Sequence, residues 1–507
     1  MKRAGILVPL FSIPSRESWG IGEIPDVATL AAWMRSARLE FVQLLPVTDM
    51  DEGLDSPYAG RSAMAIDPVY IAPARLADFA AAGGEDALPA ECREALETAR
   101  RSSKVEYKAV RAAKRAALRA AFAAFDSHGG SGRHETFAQF AAEQAWWLDD
   151  YALFRALHDE NGGRYWREWD DGVRDRRTGA LDDARRRLGQ EIRFHAYVQW
   201  LADVQWHAAR AEAGVAIFGD FPFMVSGHSA DVWARQHEFR LDASVGVPPD
   251  ATSPDGQDWG LPACRWDACA AGGYEWLRQR TRRTAALYDG FRVDHLVGFY
   301  RTFVRERDGS AAFVPAHEED QRRQGESLLG IFSGSGATIV AEDLGTVPDF
   351  VRASLARLGI PGMKVLRWER EWEQPAQPFR DPASYPSASV ATTGTHDTET
   401  LAQWWDQASR DERALCASVP AMQRAGLDPD APFSAPVRDG LLRGLLQAGS
   451  DFVILPIQDV FGWRDRINDP ADRSGRNWTW RLPWPVEDLT AEPEAVERAA
   501  FLRALHP

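Results

Sequence analysis

The sequence predicts a (β/α)8 barrel with mainly helical insertions between its strands, and three observations support that fold. Short apolar or β-branched runs recur along the 507 residues, and each ends abruptly in polar groups. Between them lie segments whose apolar residues repeat at three- and four-residue spacing, the mark of amphipathic helices. Strand–helix alternation of this kind builds a parallel sheet. In a closed parallel barrel the functional groups collect where the strands end, and here the strand ends are rich in charge.

The first run lies in MKRAGILVPLFSIPSRE. Two basic residues before an apolar stretch superficially suggest a secretion signal, but Pro9 and Pro14 interrupt it and no small-x-small site follows. A first strand plus loop is the better reading. The next runs are FVQLLPVTD (41–49), VAIFGDFPFMV (215–225), GFRVDH (290–295) and ATIVAEDLG (337–345). GMKVLRWE (362–369), SVATTGTHD (389–397) and DFVILPIQD (451–459) complete seven or eight strand–helix units. Helical spacing is clear in 24–39, 274–288 and 347–359. Residues 1–507 are expected to form a single catalytic barrel whose largest insertion, roughly 67–210, is mainly helical. Within it, the Ala-, Arg- and Glu-rich stretch 79–125 interleaves both charges and is expected to be a solvated scaffold. A flexible turn is expected at 127–133.

Bulk composition excludes several classes of function. With 45% hydrophobic and 26% charged residues the chain is ordinary globular protein. A formal net charge of −15 argues against nucleic acid or an anionic membrane surface as the main partner. No stretch approaches the roughly 18 apolar residues needed to cross a membrane. Cys92, Cys264, Cys269 and Cys416 are too few for a disulfide framework and form no zinc pattern. A soluble, cytoplasmic protein is expected.

The 20 tryptophans stand out. Trp166, Trp169, Trp259, Trp463, Trp478 and Trp480 sit beside charges and glycines. A flat apolar face next to hydrogen-bonding groups suits a sugar ring, which has an apolar face and a rim of hydroxyls. These surroundings suggest carbohydrate as a leading ligand class.

The strand ends supply the chemistry. In GFRVDH the two-residue period points Arg292 and Asp294 to one side and Phe291 and Val293 to the other. A guanidinium beside a carboxylate favours its charged form, which makes either a structural ion pair or a nucleophile in waiting. Glu342 ends a very apolar run, and apolar walls near another carboxylate let an acid keep its proton at neutral pH. Asp343 faces the other way and is expected to be structural. Asp397, with His396 beside it, is a third acid. One ionised and one protonated carboxyl group are what a retaining glycosidase or transglycosylase needs.

These motifs resemble the amylomaltases, 4-α-glucanotransferases of the α-amylase superfamily. The resemblance rests on GILVPLFSIPS (5–15), DSPY (55–58), GDFPFMV (219–225), SADVW (229–233), GVPPD (246–250) and DWGLP (258–262). It continues in FRVDHLVGF (291–299), AEDLG (341–345), PGMKVLRW (361–368), TGTHD (393–397) and NWTWRL (477–482). It implies that Asp294 is the nucleophile, Glu342 the acid/base and Asp397 the stabiliser of the transition state. It further implies that Arg292 orients Asp294, that His396 binds the sugar at the cleavage point, and that Tyr58 stacks under that ring. Asp250 and Trp259 would line the cleft, with no metal or organic cofactor required. Donors would be α-1,4-glucans, and acceptors glucose or maltooligosaccharides. The chain departs from the usual pattern at Pro9–Pro14, at Asp469–Asp472 and at Thr398, none of which removes a catalytic group. It is also expected to begin at the barrel itself, without the β-rich extension of longer relatives. The competing readings are an α-1,4-glucan hydrolase with the same carboxylates and a glucan-binding protein with an inert site. A barrel enzyme for phosphorylated sugars would need a Gly-rich loop after the late strands, which DFVILPIQDVFGWRD does not offer.

Overall fold

The computed structural model describes residues 2–51, 56–127, 132–249, 255–472 and 474–505. In chain order its strands are β1 (Arg3–Leu7), β2 (Phe41–Gln43), β3 (Ala216–Phe221), β4 (Phe239–Val247), β5 (Gln257–Cys264) and β6 (Gly290–Val293). There follow β7 (Thr302–Glu306), β8 (Ala311–Val314), β9 (Thr338–Ala341), β10 (Gly362–Val365), β11 (Ser389–Thr392) and β12 (Phe452–Pro456). Eight of them close a parallel barrel in the order β1-β12-β11-β10-β9-β6-β3-β2. Each expected run holds one barrel strand, so the predicted fold is confirmed. Helices Asp26–Ser36, Glu275–Leu287 and Asp349–Leu358 occupy the segments that helical spacing marked out.

Side-chain volume shapes the barrel floor. Phe41, Phe218 and Phe452 meet with ring centroids 4.7 to 6.2 Å apart. The Arg3 guanidinium lies 5.6 to 5.8 Å from all three rings, a cation held over apolar faces by their quadrupoles. At the start of β10, Gly362 is required by close approach. A Cβ there would lie 2.6 Å from the Asp343 carboxylate, which accepts the Met363 amide at 2.7 Å. Asp343 is thus structural, as its place on the strand predicts.

The insertion between β2 and β3 is helical, with Tyr107–Ser127, Gly132–Glu160 and Gly189–Ala213 its longest elements. It is less solvated than the charge pattern suggests. Helix Tyr107–Ser127 buries Val110, Ala113, Ala117, Leu118, Ala121 and Phe125, and with them Lys114. Lys114 Nζ lies 2.7 Å from Glu23 and donates to the carbonyls of Val69 and Ile71. The Glu23 contact ties the insertion to the segment that follows β1, and the other two hold the insertion together. The expected turn at 127–133 falls largely outside the described residues.

A four-stranded antiparallel sheet, β5-β4-β7-β8, is an element the sequence reading did not name. Its β7–β8 hairpin turns at Asp308-Gly309, where Gly309 has φ +87°. Such an Asp-Gly pair between apolar runs is a hairpin signal, and it was legible.

Candidate active site

Barrel strands β3, β6, β9 and β11 deliver their C-terminal side chains to one cleft of about 960 Å³. Tyr58, Trp259, Arg292, Asp294, Glu342, His396 and Asp397 all line it. Asp250 lies outside the described residues.

At the end of β6, Arg292 bridges two acids. Its Nη1 donates to Asp220 Oδ1 and Oδ2 at 2.9 and 2.8 Å, and its Nη2 lies 3.0 Å from Asp294 Oδ1. Arg292 and Asp220 are buried, while Asp294 is partly open to the cleft. Tyr58 Oη donates to Asp220 Oδ2 at 2.6 Å. Burial first, and then the Asp220 charge, holds the Tyr58 phenol well above its usual pKa, so it remains a donor. Asp220 is a functional residue the sequence reading passed over. It ends the run VAIFGD with the same pattern that singled out Asp294.

Glu342 stands just beyond the end of β9. Burial, then the neighbouring Asp294 charge, pushes its pKa up to about 7, against the pull of Arg292. Glu342 Oε2 accepts the His295 amide at 2.7 Å, and Oε1 accepts the Leu344 amide at 3.0 Å. His295 supplies its amide from a left-handed conformation, φ +44°, which is uncommon for a residue with a side chain. Its ring packs edge-on against Trp259 at 4.8 Å and against Phe223 at 5.3 Å. Burial lowers the His295 pKa to about 4, leaving the imidazole neutral at pH 7.

Asp397 follows β11. Burial pushes its carboxyl up, but the charge and hydrogen bond of His396 and the amide of Asn468 prevail and hold it at about 2. His396 Nε2 is 3.1 Å from Oδ2, and Asn468 Nδ2 donates to Oδ1 at 2.6 Å. Arg466 Nη2 also donates to the Asp397 carbonyl at 2.8 Å. Asn468 was not singled out, because nothing local marks a residue 71 positions away as a partner of Asp397. The His396 ring lies nearly parallel to Tyr58, 5.2 Å away and tilted by 19°. Trp478 packs within 6 Å of both.

The helical insertion braces this wall. Arg61, three residues after Tyr58, donates to the Met50 carbonyl at 2.8 Å and reaches Asp49 at 3.4 Å. Tyr151 and Arg155, on helix Gly132–Glu160, bind the same Asp49 at 2.9 and 2.6 Å.

Not every tryptophan faces a ligand. Trp259, Trp368 and Trp478 line the cleft. Trp166 and Trp169 are 1% and 3% exposed and belong to the core, which corrects their reading as sugar platforms. Trp463 stacks on Phe461 at 4.3 Å and packs against Trp480 and Trp484. Among the described residues, two clusters away from the cleft bring together possible metal ligands, Asp51 with His158 and His228, and Asp159 with Glu191 and His195. In the first, His228 Nδ1 accepts the Trp166 amide, which puts the ring proton on Nε2 rather than a free lone pair. In the second, Arg115 and Arg119 already hold the carboxylates.

The chain is similar to known proteins over nearly its whole length. The family model for 4-alpha-glucanotransferase matches residues 8–487. A 4-alpha-glucanotransferase of Thermus thermophilus is 33% identical over 521 aligned positions, covering 97% of this chain and 98% of that protein. One from Chlamydia pneumoniae is 30% identical, covering 96% and 92%. Among solved structures, the amylomaltase from Streptococcus agalactiae in complex with acarbose superposes with a TM-score of 0.81 at 26% identity, covering 100% of this chain and 98% of that one.

Proposed function

This chain belongs to the 4-alpha-glucanotransferase family, and we propose that Asp294, Glu342 and Asp397 carry out its transfer of α-1,4-glucan segments. The observation that carries these roles is the contrast between two carboxyl groups in one cleft. Glu342 keeps a proton near neutral pH, while Asp294 lies against the Arg292 guanidinium. A retaining double displacement needs that division of labour. Asp294 attacks the anomeric carbon as Glu342 gives its proton to the 4-oxygen of the departing glucan. The glycosyl–Asp294 ester then yields to an acceptor whose 4-hydroxyl passes its proton to Glu342. Two inversions leave the α-linkage unchanged.

The surroundings support the remaining roles. Arg292, anchored on Asp220, orients Asp294. Asp397, held by His396 and Asn468, offers its free lone pairs to ring hydroxyls of the distorted sugar. Tyr58 provides a flat platform for that ring, and Trp259 borders the cleft. Phe223, Met224, Val297, Leu344, Phe303 and Phe313 make much of the lining apolar, which disfavours water at the ester and favours a sugar acceptor. Glucose and maltooligosaccharides are the acceptors of that chemistry. In the same reading residues 1–507 work as one catalytic unit, and the helical insertion supports the Tyr58 wall. No helix of the described residues is long and apolar enough to cross a membrane. The cysteines are free, which fits a reducing cytoplasm, and the charge of −15 disfavours nucleic acid.

Incubating the protein with maltotriose alone, and separating products by length over time, tests the reading. Glucose should appear together with maltopentaose and longer chains, and Asp294→Asn should abolish both. Glucose and maltose alone, with steadily rising reducing ends, would make water the acceptor and overturn it.

A further inference from the structure

The loop that follows β10 carries an unusual pair of side chains. Among the described residues six large apolar side chains are exposed, and the two aromatic ones, Trp368 at 41% and Trp372 at 56%, lie four positions apart in this loop. An exposed indole leaves a large apolar area in water, and a patch of that kind is the informative exception on a protein surface. Trp368 lines the active-site cleft and Trp372 stands beyond it.

The pair is held rather than loose. Trp372 Nε1 donates to the Trp368 carbonyl at 3.2 Å, tying one indole to the backbone of the other. Arg370 pairs with Phe379 in a β-bridge, and the Arg380 amide closes on the Glu369 carbonyl at 2.9 Å. The Arg370 guanidinium reaches Glu412 at 3.3 Å and the Gln377 carbonyl at 3.0 Å, and lies 5.7 Å from the Trp372 ring. Arg370 therefore closes this small hairpin and ties it to Glu412, and the indole of Trp372 remains outside.

The side of the cleft is also defined. β10 is the barrel neighbour of β9, which leads into Glu342. Leu344, Gly345 and Thr346 continue the wall from Glu342, and Trp368 lines the same cleft. A group that gives its proton to the leaving oxygen has the leaving chain, and later the acceptor, on its own side.

From this we propose that Trp372 forms an outer subsite, continuous with Trp368, that binds the distal sugar units of a long α-1,4-glucan acceptor. It makes this chain favour long acceptors over glucose. The inference rests on the transferase reading above. A short acceptor ends before it reaches Trp372, so the residue should affect affinity for long chains and leave the chemical step alone.

The test compares the wild type with Trp372→Ala and Trp372→Tyr, using a fixed donor and either glucose or maltoheptaose as acceptor. Trp372→Ala should raise the acceptor KM for maltoheptaose roughly fivefold, the size of one aromatic contact. It should leave kcat and the KM for glucose in place, and Trp372→Tyr should restore most of the loss. An unchanged maltoheptaose KM, an equal change with glucose, or an effect on the donor alone would each overturn the proposal. Titration of maltoheptaose into Glu342→Gln, with and without Trp372→Ala, measures the same subsite without turnover. If the wild type transfers to neither acceptor, the transferase reading fails, and this titration still decides for or against Trp372.

Discussion

Replacing Glu342 by glutamine isolates the proton that the mechanism assigns to it. An ordinary glutamate has a pKa of 4.5, and at pH 7 roughly one molecule in three hundred would hold a proton. At about 7 the proton is present half the time. That shift is worth about 3 kcal/mol and raises the reactive form over a hundredfold. Burial and the Asp294 charge produce it. Because the acid form acts, wild-type activity should fall as pH rises through about 7. Glu342→Gln keeps the size of the side chain but removes the proton, and should lower kcat/KM for maltotriose by about 10²–10⁴-fold. α-Maltosyl fluoride needs no proton on its leaving group. With that donor the variant should still release a burst of fluoride as Asp294 is glycosylated, and the alkaline fall should vanish. Equal losses with maltotriose and the fluoride, or an alkaline limb that survives in the variant, would refute the assignment.

Other perturbations test the supports of the site and the fold. Asn468→Ala removes a 2.6 Å hydrogen bond to Asp397; a bond of this type to a charged group is worth about 1.5–3 kcal/mol. Steady-state kinetics should show kcat down roughly 10- to 100-fold. The Asp397 pKa, now held at about 2, should rise, so activity should be lost at a higher pH on acidification. An unchanged acid limb would separate Asn468 from Asp397. Lys114→Met strips Glu23 and the carbonyls of Val69 and Ile71 of their donor. It should lower unfolding stability by about 3–5 kcal/mol in a denaturant titration, and adding Glu23→Gln should recover part of that. Gly362→Ala drives a Cβ to within 2.6 Å of the Asp343 carboxylate, and should cost about 1–3 kcal/mol by calorimetry; a neutral result would mean that the carboxylate can move aside.

Much of the molecule was legible because its signals are local. A barrel strand buried on both faces must be apolar, so each run from Arg3–Leu7 to Phe452–Pro456 announces itself. Asp294, Glu342 and Asp397 each follow such a run, and charge at that point is hard to explain otherwise. Asp220 obeys the same rule and was missed because its role depends on Arg292, 72 positions later. Trp166 and Trp169 have polar neighbours in sequence yet are core, since exposure is set by what packs over a ring and not by what adjoins it in the chain. Lys114 sits in a stretch of mixed charge that reads as solvated, but its partner Glu23 comes from another part of the barrel.

The sequence by itself therefore determined the eight barrel strands and the acids at their ends, because hydrophobic period and strand-end charge are properties of a few adjacent residues. Only the tertiary structure decided which indoles face the cleft, and how burial, Asn468, Asp220 and the helical insertion hold the acids at the site. Those depend on burial and on charges brought within a few ångströms from distant parts of the chain, and neither exists before the barrel closes.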